Sequence, residues 1–378
     1  MKETGLGVLV TGASGYIALH CVQQLLEMGY TVRGTVRNLR NSAKIAPLRD
    51  LPYSSERLEL VEADLECPEH WPSAIEGCDY ILHVASPWPI VADEHTITVA
   101  VQGTENVLKA AATVPTVKKI VLTSSCAAIN VATRFQLTVI NPTFVVGPVL
   151  SDQSHGSATV TYTYQLLIFL FFTLSDIEHA NAFKTCGVQV IARLMDIRTC
   201  PAMPKVCLGM VDVRDVAYAH IVAMTTPETD GERILVTAMP SVWFADIAQW
   251  LNKEFKNQGY KISRMVVPNW LLRLYSKTKI DPQINALIYR TGPELRFDNS
   301  KRGDMKKRLY HSADTKKASK ADLLRGSLSK KLLKLEYRSP QQSILDMVYS
   351  MIDQGMIKKT RKYKPRLHDQ KPNASIAA

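Results

Sequence analysis

The feature that most constrains this chain is a glycine-bearing turn between an apolar run and a helix-forming segment, residues 8–18 (VLVTGASGYIA). From residue 7 to about residue 113, short β-branched runs alternate with segments of helical period. This alternation is the pattern of repeated βαβ units. Such units build a parallel sheet that is covered by helices on both faces. The sequence therefore predicts an α/β fold.

Each candidate strand is nearly continuously apolar, as buried parallel strands are. The predicted strands are Gly7 to Thr11, Thr31 to Val36, Leu58 to Ala63, Tyr80 to Val84, Lys119 to Thr123 and Leu137 to Ile140. A helix is predicted from Tyr16 to Met28, with Gly29 closing it in a left-handed conformation. These elements predict a Rossmann-type, doubly wound parallel sheet.

The turn has the composition of a phosphate-binding loop. Gly12 permits a tight turn, and Gly15 lets the backbone approach a pyrophosphate. The N-terminus of the following helix offers unpaired N–H groups and the positive end of its dipole to that anion. Ala18 stands where the third glycine of a dinucleotide fingerprint usually is, a position at which only close helix packing is required. The turn therefore predicts a dinucleotide site.

The end of the second predicted strand distinguishes the two nicotinamide cofactors. An acidic residue there would bind the ribose 2′-hydroxyl, whereas an arginine accommodates a 2′-phosphate. This strand ends in Val36 and Arg37, and Lys44 follows as a second candidate cation. Each cation alone is as consistent with a solvated surface charge, but together they favour NADP over NAD.

The third and fourth predicted strands also end in candidate ligand positions. Asp64 follows the third strand, and residues 83–87 (HVASP) end the fourth, both at the carboxyl edge where open α/β sheets bind ligands. Asp64 has two interpretations that the sequence leaves open. It accepts a hydrogen bond from an adenine amine, or it caps the N-terminus of a helix.

The formal charge of +11 is concentrated near the C-terminus. Residues 1–300 carry 26 Lys and Arg against 28 Asp and Glu, whereas residues 301–378 carry 20 against 7. Basic runs of this kind are usually solvated faces or insertions, so no nucleic-acid partner is predicted. Binding of nucleic acid or an acidic partner through this region stays an alternative that rests on charge alone.

Compartment and redox state follow from what the sequence lacks. No basic-then-apolar signal precedes residue 7, and no apolar run approaches the roughly 20 residues of a membrane span. A cytoplasmic protein without membrane contact is therefore expected. The seven cysteines form no Cys-x-x-Cys pair and no recognised metal-ligand spacing, which predicts free thiols and no metal site.

Beyond Pro142 the strand-and-helix rhythm breaks. Residues 165–174 (QLLIFLFFTL) are apolar without a period and suit either a buried element or a segment foreign to the fold. Residues 302–331 are rich in lysine and are predicted to be a solvated insertion. An amphipathic helix is predicted from Ser339-Pro340 to Gly355, packed on the body. The chain after Lys358 is predicted to be disordered.

The motifs TGASGYIA, TVRGTVRN, ADL, HVASP, VLTSS, INPTFVVGP and VDVRDVAYAH occur in this order. Together they resemble the dihydroflavonol 4-reductase and cinnamoyl-CoA reductase branch of the extended short-chain dehydrogenases. The resemblance covers residues 5–130, 135–152, 188 to about 300, and 332–357. It implies hydride transfer between NADP(H) and a small carbonyl or CH-OH compound, with a smaller C-terminal substrate domain. It assigns to the cofactor Gly12, Ser14, Gly15, Tyr16, Ile17, Arg37, Lys44, Asp64, Leu65, Val84, Ala85, Ser86, Pro142, Thr143, Phe144 and Val145.

The resemblance also implies a proton donor, a Tyr whose pKa is lowered by a Lys four residues later, beside a Ser that orients the carbonyl. Ser125 matches that Ser. The Tyr-x-x-x-Lys helix that should follow is missing, since only nine residues separate Ser125 from Phe135. The chain's one such spacing, Tyr275 with Lys279, lies far beyond Pro142 and is interpreted as helix surface. Loss of proton transfer, as in a nucleotide-binding pseudoenzyme, is therefore the alternative to an active reductase.

The short connection also has a structural consequence, because neighbouring parallel strands need a crossover of about a dozen residues or more. Either the strand at Leu137 pairs differently, or its crossover is strained and the sheet edge lies partly uncovered. A mis-spliced coding sequence is a hypothesis that accounts for this gap and for predicted insertions at 160–187 and 302–331.

The predicted divisions of the chain are an NADP-binding domain at 1–150, a mixed region with the substrate domain at 151–357 and a basic tail at 358–378.

The motif at residues 211–220 (VDVRDVAYAH) also has a structural interpretation. Asp215 is predicted to cap a helix, with Val213 and Val216 in the core. His220 is predicted to be structural rather than catalytic. Cys126 lies beside Ser125, but no cation or helix terminus is assignable to it, so no role is predicted for this thiol.

Overall fold

The apolar runs of the sequence form a parallel sheet in the computed structural model of the chain. The described residues are 7–87, 94–125, 137–152, 186–276, 291 and 327–366. Seven strands form the main sheet, in the order β3-β2-β1-β4-β5-β6-β10, and every neighbouring pair is parallel. They are β1 (Gly7–Val10), β2 (Thr31–Val36), β3 (Leu58–Glu62), β4 (Tyr80–His83), β5 (Lys119–Thr123), β6 (Leu137–Pro142) and β10 (Arg233–Val236).

The described residues after β6 also form two smaller sheets. One has the order β11-β9-β7 and the other pairs β12 with β8. Their strands are β7 (Phe144–Val146), β8 (Met203–Pro204), β9 (Cys207–Asp212), β11 (Ala238–Trp243) and β12 (Val266–Val267). The seventh strand of the main sheet, β10, comes from the same part of the sequence. The main sheet therefore draws on both predicted domains.

Helices cover both faces of the main sheet. The helices are α1 (Tyr16–Glu27), α2 (Ser42–Arg49), α3 (Ser54–Arg57), α4 (Trp71–Ile75), α5 (Glu94–Thr113), α6 (Cys186–Leu194), α7 (Val213–Thr225), α8 (Phe244–Phe255), α9 (Asn269–Ser276), α10 (Ser327–Leu333) and α11 (Pro340–Asp353). Within the described ranges, none of them is both long and apolar enough to cross a bilayer. Gly29 has a φ of 90° just after α1, as predicted for a left-handed helix end.

Alternation along the strands builds two apolar layers. Val8 and Val10 pack with α1 and α7 on one face, and Leu9 packs with α4 and α5 on the other. All three side chains are fully buried. This is the period of two that a strand imposes on a sheet covered on both sides. The doubly wound Rossmann-type fold predicted from the sequence is confirmed.

The short connection after Ser125 does not alter the pairing of the strand that follows. β5 pairs with β6 in parallel, with Ile120 opposite Leu137, so the alternative that this strand pairs differently is wrong. The expected open edge is also wrong, because β10 pairs with the outer side of β6. Every residue of β6 is buried. Residues 126–136, which make the connection and include Cys126, lie outside the described ranges.

The predicted insertions fall largely outside the described residues. Residues 160–185 and 302–326 are not described, nor is the apolar run inside the first of them. Ser327–Leu333, however, form helix α10, which lies against β10 and α7. Ser329 is fully buried and accepts a hydrogen bond from the Tyr337 hydroxyl at 2.7 Å. The end of the stretch predicted to be solvated therefore belongs to a packed helix.

The predicted C-terminal amphipathic helix is confirmed as α11. The Ser350 hydroxyl accepts a hydrogen bond from the backbone N–H of Val149 at 2.8 Å, which ties α11 to the segment after β7. Gly355 ends the helix with a φ of 77°. Its predicted apolar face is buried throughout, namely Ile344, Leu345, Val348, Met351 and Ile352.

The segment after α11 is anchored to the body. The Tyr260 hydroxyl donates to the carbonyl of Lys358 at 3.2 Å, and the backbone N–H of Lys364 donates to Oε1 of Gln258 at 3.1 Å. The prediction of a disordered tail is therefore wrong for residues 358–366. The basic composition of this segment favours solvation, but its hydrogen bonds to the buried side chains of Tyr260 and Gln258 hold it on the body. The rest of the tail lies outside the described residues.

Helix α7 begins directly where β9 ends. Asp212 has extended backbone angles and caps the helix, with its carboxylate accepting from the backbone N–H of Arg214 at 2.8 Å. The prediction that Asp215 is the cap is therefore wrong, because Asp215 lies in the first turn and pairs with Arg338. The two valines predicted for the core are fully buried, Val213 and Val216.

Arg214 joins α7 to the C-terminal helix. Its guanidinium donates to both carboxylate oxygens of Asp212, at 2.9 and 2.7 Å, and to Asp346 on α11 at 2.7 Å. The Asp212 side chain is fully buried, whereas 26% of the Arg214 side chain is exposed. Burial opposes ionisation of Asp212, yet the hydrogen bonds from Arg214 hold its pKa below its usual range. This pair therefore carries a buried charge that needs its partner.

In the described part of the chain, three histidines are buried between the layers of the fold. Burial lowers the pKa of His20, His83 and His220 from 6.5 to about 4. Nδ1 of His220 donates to the carbonyl of Val216 at 2.8 Å, and its Nε2 accepts from the Thr123 hydroxyl at 2.7 Å. His220 thus joins α7 to the sheet, which is the structural role predicted for it.

Substitution Arg214→Leu should destabilise the fold by about 3 kcal/mol, because it leaves the buried Asp212 carboxylate without its partner. Urea unfolding at pH 7 measures this loss. The control is Lys359→Ala, which removes an exposed ion pair with Asp353 at 3.5 Å and should change stability by about 0 to 1 kcal/mol. Equal effects of the two substitutions would contradict the assignment.

Stability should fall as the pH drops from 6.5 towards 4. The unfolded chain protonates its histidines below about pH 6.5, whereas the three buried ones stay neutral down to about pH 4. Each then contributes a slope of about 1.4 kcal/mol per pH unit. Urea unfolding at pH 7, 6 and 5 measures the slope.

In the same experiment, His220→Gln should remove about one third of the histidine slope. The control His95→Gln, at a side chain that is 72% exposed, should leave the slope unchanged. The slope is the readout, so a lower absolute stability of the His220 variant does not obscure it. A wild-type slope in His220→Gln would show that this histidine is not held neutral.

Candidate active site

The turns after β1 and β4 meet at the carboxyl edge of the main sheet. From β1 the chain proceeds to β2 and β3 on one side, and β4 then starts the other side. Gly12 has a φ of 64°, and a Cβ added to it would lie 3.1 Å from Cβ of Ala85. Any side chain at Gly12 would therefore be strained and crowded. This is the point in a doubly wound sheet where ligands bind.

The buried hydroxyl of Thr11 connects these two turns. Its Oγ1 accepts hydrogen bonds from the backbone N–H groups of Val84 at 3.0 Å and Ala85 at 2.9 Å. It lies 2.9 Å from Nδ1 of His83, which is held neutral by its burial. Since the oxygen already accepts twice, its hydrogen is donated to Nδ1. No role was predicted for Thr11, and the only signal was its place in the glycine motif.

Thr35 attaches the same turn to β2. Its hydroxyl accepts from the backbone N–H of Gly12 at 3.0 Å, and its carbonyl accepts from the N–H of Ala13 at 2.9 Å. A Cβ on Gly34 would lie 2.8 Å from Cβ of Ala13, so the strand needs a glycine there. Sequence reasoning missed these two residues as well, because they stand inside a strand with no polar pattern.

Helix α1 points its N-terminus into this edge. Gly15 is the N-cap, and its N–H bonds to the carbonyl of Gly12 at 2.8 Å. The N–H groups of Tyr16, Ile17 and Ala18 have no acceptor within the helix because they open it. The first turn contains no acidic side chain. These donors and the helix dipole suit a phosphate group.

The predicted lining residues Tyr16 and Ile17 present only their backbone to the edge. Both side chains are buried, and the Tyr16 hydroxyl donates to the carbonyl of Gly147 at 2.8 Å. Burial, with the nearby charge of Asp212, raises the pKa of Tyr16 well above its usual range. Tyr16 therefore packs in the core and links the start of α1 to the segment after β7. Ser14 is half-buried in the turn.

Arg37 follows β2 directly and is exposed. Among the described residues it makes no hydrogen bond or ion pair, in contrast to Arg33, which binds Glu59 at 2.7 Å. Lys44 lies in the first turn of α2 and is half-buried. Arg37 is thus a cation at the strand end where a ribose 2′-substituent would lie.

Asp64 and Leu65 follow β3. The Asp64 carboxylate accepts from the backbone N–H of Glu66 at 3.1 Å and so closes a local turn. It caps no helix, since the next helical turn begins at Pro68 with Cys67 as its N-cap. The carbonyl of Leu65 accepts from the Asn106 amide of α5 at 2.9 Å. The helix-cap interpretation of Asp64 is therefore wrong.

The remaining predicted residues stand at the ends of β4, β5 and β6. Val84 and Ala85 are half-buried and Ser86 is exposed. Ser125 is half-buried two residues after β5, and the N–H of Ser124 bonds to the carbonyl of Ile140 at 2.8 Å. The residues predicted after β6 are Pro142, Thr143 and Val145, which are buried, and Phe144, which is half-buried.

Of the rejected pair Tyr275 and Lys279, only Tyr275 lies within the described residues. Tyr275 is in the last turn of α9, and Lys279 lies outside the described residues. Leu272 of α9 packs with Ala202 and Val267 in a small apolar cluster of its own. This cluster contains no residue of the main sheet. The interpretation of this pair as helix surface stays a prediction.

Comparison with protein families matches residues 8–148 to the NAD dependent epimerase/dehydratase family. The matched range spans the glycine turn, the strand ends and the segment after β6. The family description agrees with the position of the candidate site. It does not test which individual residues bind a ligand, so the residue assignments stay predictions.

Several characterised proteins are similar over most of the chain. Cinnamoyl-CoA reductase CAD2 of Medicago truncatula is 34% identical over 254 residues, which cover 62% of this chain and 78% of the relative. Cinnamoyl-CoA reductase 1 of Petunia hybrida is 32% identical over 298 residues, covering 67% and 78%. Over a shorter range, dihydroflavonol 4-reductase of Zea mays is 41% identical across 130 residues, covering 34% and 36%.

Solved structures show the same fold. Yeast methylglyoxal/isovaleraldehyde reductase Gre2, complexed with NADPH, has a TM-score of 0.61 at 20% identity, over 92% of this chain and 98% of that one. Vestitone reductase from alfalfa (Medicago sativa) has a TM-score of 0.56 at 20% identity, covering 93% and 99%. The sequence relatives and the family match together establish that the chain belongs to the NAD-dependent epimerase/dehydratase family, in the branch of proteins like cinnamoyl-CoA reductase and dihydroflavonol 4-reductase.

Proposed function

We propose that this protein is an NADP(H)-dependent oxidoreductase of the reductase type, acting on a small carbonyl or CH-OH compound. The observation that carries the proposal is the glycine turn of Gly12 at the switch point of the sheet, with the cation of Arg37 at the end of the adjacent strand. The reductase names of the sequence relatives support the reaction class.

The chain has features that fit a dinucleotide. The backbone at Gly12 leaves no room for a Cβ, and the N-terminus of α1 offers free N–H groups for a pyrophosphate. At the end of β2 the residues are Val36, Arg37 and Asn38, so the acidic residue that would bind a ribose 2′-hydroxyl is not at this position. The neighbouring carboxylate of Glu62, on β3, accepts a hydrogen bond from the backbone N–H of Leu39 at 2.7 Å. The yeast reductase Gre2, which shares the fold and was solved in complex with NADPH, supports the same cofactor.

When bound, NADPH supplies the hydride, and the residues of this chain hold and orient the reacting groups. By resemblance to its family, Ser125 donates a hydrogen bond to the carbonyl oxygen. Its position after β5 is at the same edge as the glycine turn. The half-buried Phe144 and the buried Val145 stand at the neighbouring strand end and provide apolar surface.

The proton that must reach the reduced carbonyl has no assigned donor in this chain. The Tyr and Lys that supply it in the family are missing from the nine residues between Ser125 and Phe135. A second candidate function therefore follows, that of a protein that binds NADPH without turnover. The two candidates share the cofactor site and differ only in catalysis.

Arg37→Ser should weaken NADPH binding about 10- to 100-fold, because it removes a charge-assisted contact to the 2′-phosphate. NADH binding should not change, since NADH lacks that phosphate. Nicotinamide fluorescence titrations with both cofactors measure the two dissociation constants. The matched control is Arg40→Ser, at an exposed arginine three residues further on. An equal loss for NADH, or a loss as large in the control, would contradict the role of Arg37.

Oxidation of NADPH with cinnamoyl-CoA should be about 10² to 10⁴ times slower than in the Medicago relative, because general acid catalysis is lost. Kinetic assays that follow the nicotinamide absorbance measure the rate of NADPH oxidation. Ser125→Ala should slow the residual reaction further without changing the dissociation constant of NADPH. Tight binding without any turnover would favour the second candidate, and turnover at the relative's rate would mean that another group supplies the proton.

A further inference from the structure

Three metal-ligating side chains of different kinds meet just beyond the third strand of the main sheet. Cys67, Glu69 and His70 belong to a single helical turn, Pro68–His70 with its cap. One ligand atom from each, a sulfur, a carboxylate oxygen and a ring nitrogen, lies within 4.8 Å of the other two. Sequence reasoning sought paired cysteines and so passed over this Cys-x-Glu-His spacing.

The donor set indicates which ion it suits. Thiolate, imidazole and carboxylate together are ligands that zinc accepts in proteins, at distances of about 2.0 to 2.3 Å. Three protein ligands leave the fourth tetrahedral position to water. Glu69 is exposed, and Cys67 and His70 are half-buried, so an ion can reach all three. We propose that Cys67, Glu69 and His70 bind one zinc ion, with water as the fourth ligand.

The electrostatic surroundings favour a cation at this turn. Residues 58–70 contain five Asp or Glu and no Lys or Arg. Burial and the charges of Glu69, Asp64 and Glu66 raise the pKa of the Cys67 thiol. Cys67 is also a free thiol in the structure, so no disulfide competes with the metal.

Zinc binding has one identifiable structural effect, at His70. The backbone N–H of Asp64 donates to Nδ1 of this ring at a long 3.3 Å. If zinc binds Nδ1 of His70, the metal takes the lone pair that accepts this hydrogen bond. If zinc binds Nε2, the ring proton is on Nδ1, which can then no longer accept. In both cases the hydrogen bond from Asp64 to His70 is lost, which costs one weak hydrogen bond. Metal binding is thereby coupled to the loop that holds Asp64 and Leu65.

The 378-residue chain without cofactor should bind one equivalent of zinc in competition with a chromophoric chelator. Cobalt substituted for zinc should give a thiolate-to-cobalt charge-transfer band. Cys67→Ser should abolish that band and weaken zinc binding at least about tenfold, and Glu69→Gln should weaken it as well. The matched control is Glu66→Gln, which removes a neighbouring charge that belongs to no ligand and should change the affinity by less than about threefold.

Wild-type zinc affinity in Cys67→Ser, or an equal loss in Glu66→Gln, would overturn the proposal, since binding would then reflect general negative charge. His70→Gln is the second variant if Cys67→Ser fails to fold, and retention of full affinity there would also overturn it. The sequence-based prediction that the chain has no metal site would be wrong if the site is confirmed.

A consequence for the cofactor rests on the proposed function. If Asp64 and Leu65 contact the adenosine part of NADPH, saturating zinc should weaken NADPH binding in the wild type and not in Cys67→Ser. Because zinc binding is measured without cofactor, failure of NADPH to bind at all leaves that measurement intact. If zinc binds and the affinity for NADPH does not change, only the coupling between the two sites is refuted, and the zinc site stands.

Discussion

The hydroxyl of Thr11 is the interaction on which the geometry of the candidate site depends. It satisfies two backbone N–H groups and one ring nitrogen in a place that excludes water. A buried polar group without a hydrogen-bond partner is unfavourable in free energy. The Thr11 hydroxyl, the two backbone N–H groups and the ring nitrogen are therefore held in one arrangement. The close approach of Gly12 to Ala85 follows from this arrangement. The turn that is predicted to bind phosphate thus depends on the buried hydroxyl of Thr11 for its shape.

Helices from the C-terminal half of the chain hold helix α1 of the predicted NADP-binding domain in place. Helix α7 packs along α1, and Nε2 of Gln24 donates to the carbonyl of Arg214 at 3.0 Å. Arg214 in turn binds Asp346 of α11, which also accepts from Arg366 at 2.6 Å. The helix that offers its N-terminus at the sheet edge is therefore braced by residues from the far end of the sequence. The position of α1 therefore depends on contacts with residues of α7 and α11, far away in the sequence.

The sequence predicts the parts of the fold that have a periodic signal. The six strands proposed from continuous apolar runs all exist, and their ends agree to within two residues, because burial between two helical layers requires such runs. Helices α1 and α11 were predicted for the same reason, each with a glycine that closes it. The glycine turn was placed correctly because its residues are contiguous in sequence.

What the sequence could not predict depends on contacts between distant residues. Thr11 and Thr35 carry no periodic signal, and their roles arise only when three strands lie side by side. Asp212 and Asp215 are equally plausible caps until it is known that β9 runs straight into α7. The roles of Arg37 and Ser125 stay predictions, since their positions are consistent with ligand binding but no contact tests them.

The place of β10 in the main sheet has a consequence for how the protein is made. Roughly ninety residues separate the end of β6 from β10, which covers its outer side. At a synthesis rate of about 5 to 20 residues per second, the apolar edge of β6 waits some 5 to 20 seconds on the ribosome for its partner. During that interval β6 is an exposed template for pairing with other chains. The outer side of β6 therefore gains its backbone partner only after residues 233–236 have been synthesised.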